Sequence, residues 1–498
     1  MTNPVVTSQL GWLGLGALLM LFTNGSGMVP ILVWFAPAAW LIYLDRGGHW
    51  LQLPFLLAAN VLVNFVVWRG IIPAPGLLYY LIAGIYALVY FLPFVAHRLL
   101  AAGKPSFAAT LVFPAAWVAL EFVFQRWVTP YGSWASFAYT QADSLPVIQL
   151  ASIGGIAGLS FLMTWLASVI AWCMRSEPGP QRRLRGVLVG GFVLLAALAF
   201  GHIRLAQPVD DGEVLRVAGL APDILLDQEV GRVVNEVRSG AALSPERMRR
   251  LERAAERLNA DLLERTRIEA RAGARLVAWS ETAARLLKSD QEPFLARLAS
   301  LAQEEGIYVL AAMGVWNPGG QPLLENKVVA LDPAGRVAFE FHKARPIVGA
   351  ESMLIEAGDG KIGELQIEGA RLGLVICHDL DFPGFLRQAS NADLDLLVAP
   401  SNDWPLIAKL HADMAKMRAV ENGVTLFRPT SGGKSIAVDG KGRSLAVVDH
   451  PANTIVAFLP VNGNRTIHGI IGESFSWLCV FALLAMFGIT IVSKRRES

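Results

Sequence analysis

Apolar runs long enough to cross a bilayer fill most of the first 204 residues and recur at the end of the chain, bracketing a charged block. Crossing about 30 Å of hydrocarbon takes roughly 20 predominantly apolar residues in a helix. Such runs fall near 9–24, 27–44, 51–70, 76–96, 107–124, 155–174, 186–203 and 470–493. The first has no basic leading region and no small-residue cleavage site, and another apolar run follows at once, so it reads as a span and not as a removable signal. The expectation is a membrane bundle of about eight helices, with spans one to seven in 1–204 and the last, with its basic tail, in 469–498. With eight spans both termini share a side. Loops after even-numbered spans and the C-terminal tail carry Arg46, Arg98, Lys104, Arg175, Arg182, Arg183, Arg185, Lys494, Arg495 and Arg496, whereas the short loops opposite carry only Arg69 and Arg126. Lys and Arg accumulate on the cytoplasmic side. Both termini are therefore expected in the cytoplasm, and block 205–468 outside it.

Composition narrows the classes further. The chain is 54% hydrophobic and 17% charged, against roughly a quarter charged in soluble proteins. Its formal charge is +2, and its basic clusters lie beside apolar runs, which argues against a nucleic-acid binder. Cys173, Cys377 and Cys479 make no spaced framework, and there is neither a Cys-x-x-Cys nor a His-Glu-x-x-His pattern. Neither a disulfide scaffold nor a metal site is expected.

Block 205–468 holds most of the charge and reads as one folded domain. It opens with an apolar strand, Val214 to Leu220. A long amphipathic helix starts at Ser244-Pro245, a capping residue followed by proline at the first helical position, with Leu251, Ala255, Leu258 and Leu262 as its buried stripe. Strand-like runs follow at Leu276 to Trp279, Ile307 to Met313, Val328 to Leu331, Val337 to Phe341, Leu372 to Ile376, Leu394 to Ala399, Val424 to Phe427, Ile436 to Val438 and Ile455 to Leu459. Helical patterns cover Glu292 to Glu304 and Ile407 to Asn422, and Asp332-Pro-Ala-Gly335 and Asp439-Gly-Lys-Gly442 are turn signals. The mixture predicts an α/β domain with layered sheets.

Cys377 is the only cysteine in this block and follows the strand Arg371 to Ile376. Taken alone it reads as a buried core thiol, the usual fate of a free cysteine. Two other residues change that reading. Glu281 follows the strand Leu276 to Trp279 after one serine, and Lys343 follows the strand Val337 to Phe341 after one histidine. A carboxylate, an amine and a thiol thus all fall at strand ends. A thiol needs a base to become a nucleophile, and a nearby cation stabilises both the thiolate and a later oxyanion.

The order Trp279-Ser-Glu281, Phe341-His-Lys343 and Gly373-Leu-Val-Ile-Cys377-His-Asp-Leu-Asp-Phe-Pro383 resembles the Glu-Lys-Cys pattern of the carbon–nitrogen hydrolase, or nitrilase, superfamily. Pro400-Ser-Asn-Asp403 and Met417-Arg-Ala-Val-Glu421 continue the match. In the membrane part, Trp117-Val-Ala-Leu-Glu121, Thr129-Pro-Tyr-Gly132, Tyr139-Thr-Gln141, Ile148-Gln-Leu-Ala-Ser-Ile-Gly-Gly155 and Gly158-Leu-Ser-Phe-Leu162 look like the bacterial apolipoprotein N-acyltransferases, the membrane branch of that superfamily. The resemblance implies an αββα sandwich at 205–468 and a multi-pass protein of the bacterial cytoplasmic (inner) membrane. It further implies transfer of a fatty acyl chain from a phospholipid, through a cysteine thioester, to the N-terminal amine of a diacylglyceryl-cysteine lipoprotein, without a cofactor. By motif, Glu281 is the general base, Lys343 the oxyanion partner, Cys377 the nucleophile and Glu351 a supporting carboxylate, with the backbone N–H of His378 as a second oxyanion donor. An amidase, or an acyltransferase with a different acceptor, is the alternative on the same triad.

The loops depart from the family pattern in four places. Cys377-His-Asp379 replaces Cys-Tyr-Glu, Trp404-Pro-Leu406 replaces Trp-Phe-Gly, Ala344-Arg-Pro-Ile-Val-Gly-Ala-Glu351 follows the lysine, and Ala221-Pro-Asp-Ile-Leu225 follows the first strand. His378 is a poor candidate base, because the residue after a strand-end cysteine tends to point to the other face. His411 reads as a structural hydrogen-bonding residue. Glu121, in an apolar span, reads either as a substrate contact or as an interhelical bond.

Overall fold

The computed structural model describes residues 4–25, 27–47, 49–175, 179–208, 214–238 and 244–497. Two compact units emerge: Met1–Pro208 with Thr466–Ser498, and Val209–Arg465.

In the first unit, five helices are long and apolar enough to cross a membrane: Gly76–Leu100, Phe107–Val128, Ala151–Cys173, Pro180–Ala206 and Ser474–Ser493. The other three expected spans are shorter helices, Pro4–Met20, Ala36–Gly47 and Gln52–Val67. By length, five of the eight expected spans are met among the described residues. Proline explains the second run: Pro30 opens a separate 3-10 turn, Pro30–Trp34, and Pro37 sits in the first turn of the next helix. Proline starts helices but breaks their interiors, so 27–44 cannot be one rod, and 12 residues at 1.5 Å each reach only about 18 Å. Helix Ala151–Cys173 is kinked at Gly155, whose φ of 62° only glycine adopts readily. Arg175 and His97 both bond the buried Asp45, at 2.7 and 3.1 Å, closing one end of the unit. The side chains of Lys494, Arg495 and Arg496, counted in the charge bias above, lie outside the described residues.

The second unit contains strands β1 (Val214–Leu220), β2 (Leu276–Trp279), β3 (Ala284–Leu287), β4 (Tyr308–Trp316), β5 (Leu324–Leu331), β6 (Val337–His342), β7 (Gly363–Ile367), β8 (Ala370–Leu374), β9 (Leu396–Val398), β10 (Ser401–Asn402), β11 (Thr425–Arg428), β12 (Thr430–Ser431), β13 (Lys434–Val438), β14 (Ser444–Asp449) and β15 (Thr454–Pro460). One sheet runs β15-β1-β2-β4-β5-β6 with β3 beside β4, the other runs β14-β13-β11-β9-β8-β7, and β10 pairs with β12. The central pairs β1/β2, β2/β4, β8/β9 and β9/β11 are parallel. Parallel strands need both faces covered. Helices Pro245–Arg271 and Gln291–Glu305 cover the outer face of the first sheet, and Ala408–Asn422 covers the second. The inner faces share one apolar core. This is a helix–sheet–sheet–helix sandwich of the nitrilase type. At Gly219 the sheets come so close that a Cβ would sit 2.7 Å from Pro429 and 2.9 Å from Phe427.

Local chemistry explains the elements. Ser244 Oγ accepts from the Arg247 N–H at 3.3 Å, capping the long helix where the sequence places its start. Asp332 accepts from the N–H groups of Ala334 and Arg336, and Asp439 from those of Lys441 and Arg443, so both expected turns form. The sequence reading misses β3, β7, β14 and the pair β10/β12, as well as helices Ile224–Arg238 and Pro383–Asn391. Strands β7 and β14 are half-exposed edges that carry little apolar signal.

Candidate active site

The three singled-out residues sit at the C-terminal ends of their strands. Glu281 lies two residues after β2, and its N–H bonds the Ser401 carbonyl at 3.3 Å. Lys343 follows β6 directly, its N–H paired with the Asn326 carbonyl of β5 at 3.0 Å. Cys377 lies three residues beyond β8, where the extension is held by Val375 N–H to the Val398 carbonyl and Cys377 N–H to the Pro400 carbonyl. Glu281 and Lys343 thus come from one sheet and Cys377 from the other. Cys377 and Thr282 adopt left-handed φ of 46° and 49°. Backbone strain of this kind, about 1–3 kcal/mol per residue, persists where the surroundings over-determine it.

Lys343 Nζ donates to Glu281 Oε1 at 2.7 Å and to the Glu351 carboxylate at 2.7–2.9 Å. Glu281 Oε1 also accepts from Asn326 Nδ2 at 2.7 Å, and Glu351 Oε2 from the Ile347 N–H at 2.9 Å. Lys343 is wholly buried. Burial by itself would lower the amine's pKa, but the carboxylates of Glu281 and Glu351 outweigh it and hold the ammonium charged well above the ordinary lysine range. Glu351 is lowered in return, because Lys343 overcomes its desolvation. Cys377 Sγ bonds the Asn402 carbonyl at 3.8 Å. Burial pushes its pKa up, with Glu281 adding to the rise and Lys343 opposing it, so the resting group is a thiol.

The residues after the cysteine fasten the lysine loop. Asp379 accepts from the Ile376 N–H at 2.9 Å, the Arg345 N–H at 2.7 Å and the Ala344 N–H at 3.4 Å. His378 Nδ1 bonds the Arg345 carbonyl at 2.8 Å, which makes it a donor, and its ring packs on Phe382. Burial lowers the His378 pKa to about 4 and raises that of Asp379 to about 7. A histidine so placed, with a pKa so low, is no base for the thiol.

His411 is the structural hydrogen-bonding residue the sequence reading expects, but the buried charge cluster it joins with Asp403 and Arg428 was missed. Asp403 is held by both Arg428 terminal nitrogens at 2.7 and 3.0 Å and by His411 Nδ1 at 2.8 Å, and His411 Nε2 lies 3.4 Å from Asp381. Desolvation opposes the charges, but Arg428 and His411 lower Asp403 to about 2, and Asp381 and Asp403 raise His411 to about 9. Ligand atoms of Cys377, Asp403 and His411 fall within 4.8 Å of one another. Both Asp403 oxygens are already engaged by Arg428, and the imidazole is held as a cation, so this trio is built as a charge network and does not present a metal-ligand set. Gly433 is required behind it, since a Cβ there would sit 2.4 Å from Asp403 Oδ2. Asn326 was missed too, although Glu325-Asn326-Lys327 at the start of an otherwise apolar strand was a readable signal.

Two family models match this chain. Residues 244–465 match the carbon-nitrogen hydrolase family, and residues 15–169 match the apolipoprotein N-acyltransferase N-terminal domain. Apolipoprotein N-acyltransferase of Geobacter metallireducens is 26% identical over 93% of this chain and 92% of its own length. The two matched regions and the curated apolipoprotein N-acyltransferase relatives together cover most of this chain. The apolipoprotein N-acyltransferase of Shewanella oneidensis is likewise 26% identical, over 75% of this chain and 72% of its own. Among solved structures, an amidase from Nesterenkonia sp. aligns with a TM-score of 0.39 and 19% identity, over 52% of this chain and 94% of the amidase.

Proposed function

We propose that this protein takes a fatty acyl chain from a membrane phospholipid onto Cys377 and passes it to the N-terminal amine of a diacylglyceryl-cysteine lipoprotein. The single observation that carries this reading is the pairing of a buried, charged Lys343 with Glu281 and Glu351 beside the thiol of Cys377. Glu281 takes the thiol proton as sulfur attacks the ester carbonyl, and Lys343, with the backbone N–H of His378, receives the oxyanion. The carbon–oxygen bond then breaks, the lysophospholipid oxygen leaves with the proton from Glu281, and a thioester remains. The incoming amine repeats the cycle: Glu281 accepts its proton, the carbon–sulfur bond breaks, and the sulfur departs as the thiol. Glu351 keeps Lys343 charge-compensated while Glu281 is protonated. No cofactor enters either half-reaction.

The long apolar helices of the membrane unit support residence in a bacterial inner membrane, with the shorter helices completing eight spans. The ten-to-two bias of basic residues supports cytoplasmic termini and a catalytic domain at 205–468 on the extracytoplasmic side. Residence in the bilayer spares the acceptor's chains and the departing lysolipid an extraction costing about 0.8 kcal/mol per CH₂.

The test is incubation of the purified protein with phosphatidylethanolamine and a synthetic diacylated lipopeptide, followed by mass spectrometry of the peptide. One added acyl group on the peptide N-terminus, absent with Cys377→Ser, is expected. Free fatty acid and lysolipid with no N-acylated peptide would instead identify a hydrolase.

A further inference from the structure

Two cavities open side by side in the catalytic domain. The nearer, of about 290 Å³, is lined by Asn326, Glu351 and Asn402, the immediate partners of Glu281, Lys343 and Cys377. The second, of about 450 Å³, lies between helices Pro245–Arg271 and Gln291–Glu305 and strand β3. They share Val230, Arg285 and Trp316. A space of about 450 Å³ is in the range of small-molecule sites, roughly 300–1,000 Å³.

The lining of the second cavity is mostly hydrocarbon and aromatic: Leu251, Ala255, Leu286, Phe294 and Trp316. Its two arginines are neutralised, Arg285 by Asp227 at 3.0 Å and Arg297 by Glu256 at 2.8 Å. Glu252 and Asp290 complete its charged rim, so the cavity does not recruit an anion, and its apolar walls suit an uncharged chain. Leu251 and Ala255 lie four residues apart on one helix face, so the small alanine keeps open space that a longer side chain would fill.

We infer that this second cavity receives the distal part of the fatty acyl chain while its carboxyl end is esterified to Cys377, and thereby sets the chain length the protein prefers. The inference rests on the acyl-transfer reading above. It rests on adjacency: Asn402, bonded by the Cys377 sulfur, lines the first cavity, and the two cavities share a wall of Val230, Trp316 and the paired Arg285 past which the chain would run. A pocket that fits hydrocarbon discriminates by roughly ten-fold or more per methylene it gains or loses.

The test uses the full-length protein in detergent micelles with two donors, dipalmitoyl- and dioctanoyl-phosphatidylethanolamine, and reads acyl-enzyme by intact mass. Ala255→Trp is expected to lower the long-to-short rate ratio by about ten-fold or more. In parallel, wild-type protein is given a phospholipid with a diazirine near the end of its acyl chain, and crosslinks are mapped after irradiation. Crosslinks within 245–271 or 291–305 are expected, and this arm does not depend on the variant folding. A rate ratio unchanged within two-fold, or crosslinks confined to other segments, would overturn the inference while leaving the transferase reading intact. Absence of acyl-enzyme with either donor on wild type would overturn that reading, and this inference with it.

Discussion

Replacing Glu351 by glutamine isolates the role of the second carboxylate. Lys343 is fully buried and bonds Glu351 at 2.7 Å, a gross attraction of about 6 kcal/mol at an effective dielectric of about 20. Breaking a buried pair costs about 3–5 kcal/mol. Glutamine keeps one oxygen to accept from the ammonium, and the Glu351 side chain is 22% exposed, so about 2–3 kcal/mol is the expected loss. For a domain of this size that corresponds to a fall in Tm of roughly 4–12 °C by differential scanning fluorimetry. The catalytic effect should be larger than the structural one. Without Glu351, protonating Glu281 leaves a buried ammonium with no carboxylate partner, so the rate of acyl-enzyme formation, followed by intact mass, should drop by about 100-fold or more. Glu351→Asp, which preserves the charge, should recover part of that rate. A Glu351→Gln protein with an unaltered Tm and a rate within two-fold of wild type would refute the reasoning.

Alkylation of Cys377 by iodoacetamide should be slow at neutral pH and accelerate as pH rises, because burial holds the thiol protonated; Lys343→Met should move that profile further upward by removing the opposing cation and exposing the thiol to an uncompensated Glu281. His411 has a folded pKa of about 9 against about 6.5 unfolded, so its stabilising contribution is complete below about pH 6.5 and disappears as pH rises to about 9. Chemical denaturation across that interval should lose about 3 kcal/mol, and His411→Gln should flatten the slope. Asp403 has the opposite sign, with a folded pKa of about 2, so its contribution should be lost as pH falls from about 4 to about 2. Asp379→Ala leaves the N–H groups of Ile376 and Arg345 buried without their acceptor and should destabilise by about 3 kcal/mol, with hydrogen exchange at those two amides rising first.

The Glu-Lys-Cys arrangement was legible because strand ends are readable: short apolar runs end abruptly at Trp279, Phe341 and Ile376, and each is followed at once by chemistry. The caps and turns were legible for the same local reason, as at Ser244 and Asp332, where one side chain satisfies the backbone within four residues. The Asp403–Arg428–His411 network was not, since its members lie 25 and 8 residues apart and acquire meaning only when β10, β11 and helix Ala408–Asn422 converge. Edge strands β7 and β14 hid behind polar faces, and the run 27–44 read as one apolar length across Pro30 and Pro37, where the structure has a 3-10 turn followed by a 12-residue helix. The substitutions at His378 and Asp379, visible only as departures from a pattern, prove to be the bonds that hold residues 344 and 345 in place.

Intact-protein mass spectrometry of the wild type with a defined phospholipid and no acceptor tests the central claim most directly. The account predicts a single acyl adduct on Cys377, released by neutral hydroxylamine, absent in Cys377→Ser and strongly diminished in Glu281→Gln. An adduct that persists in Cys377→Ser, or N-acylation of lipopeptide by that variant, would contradict it.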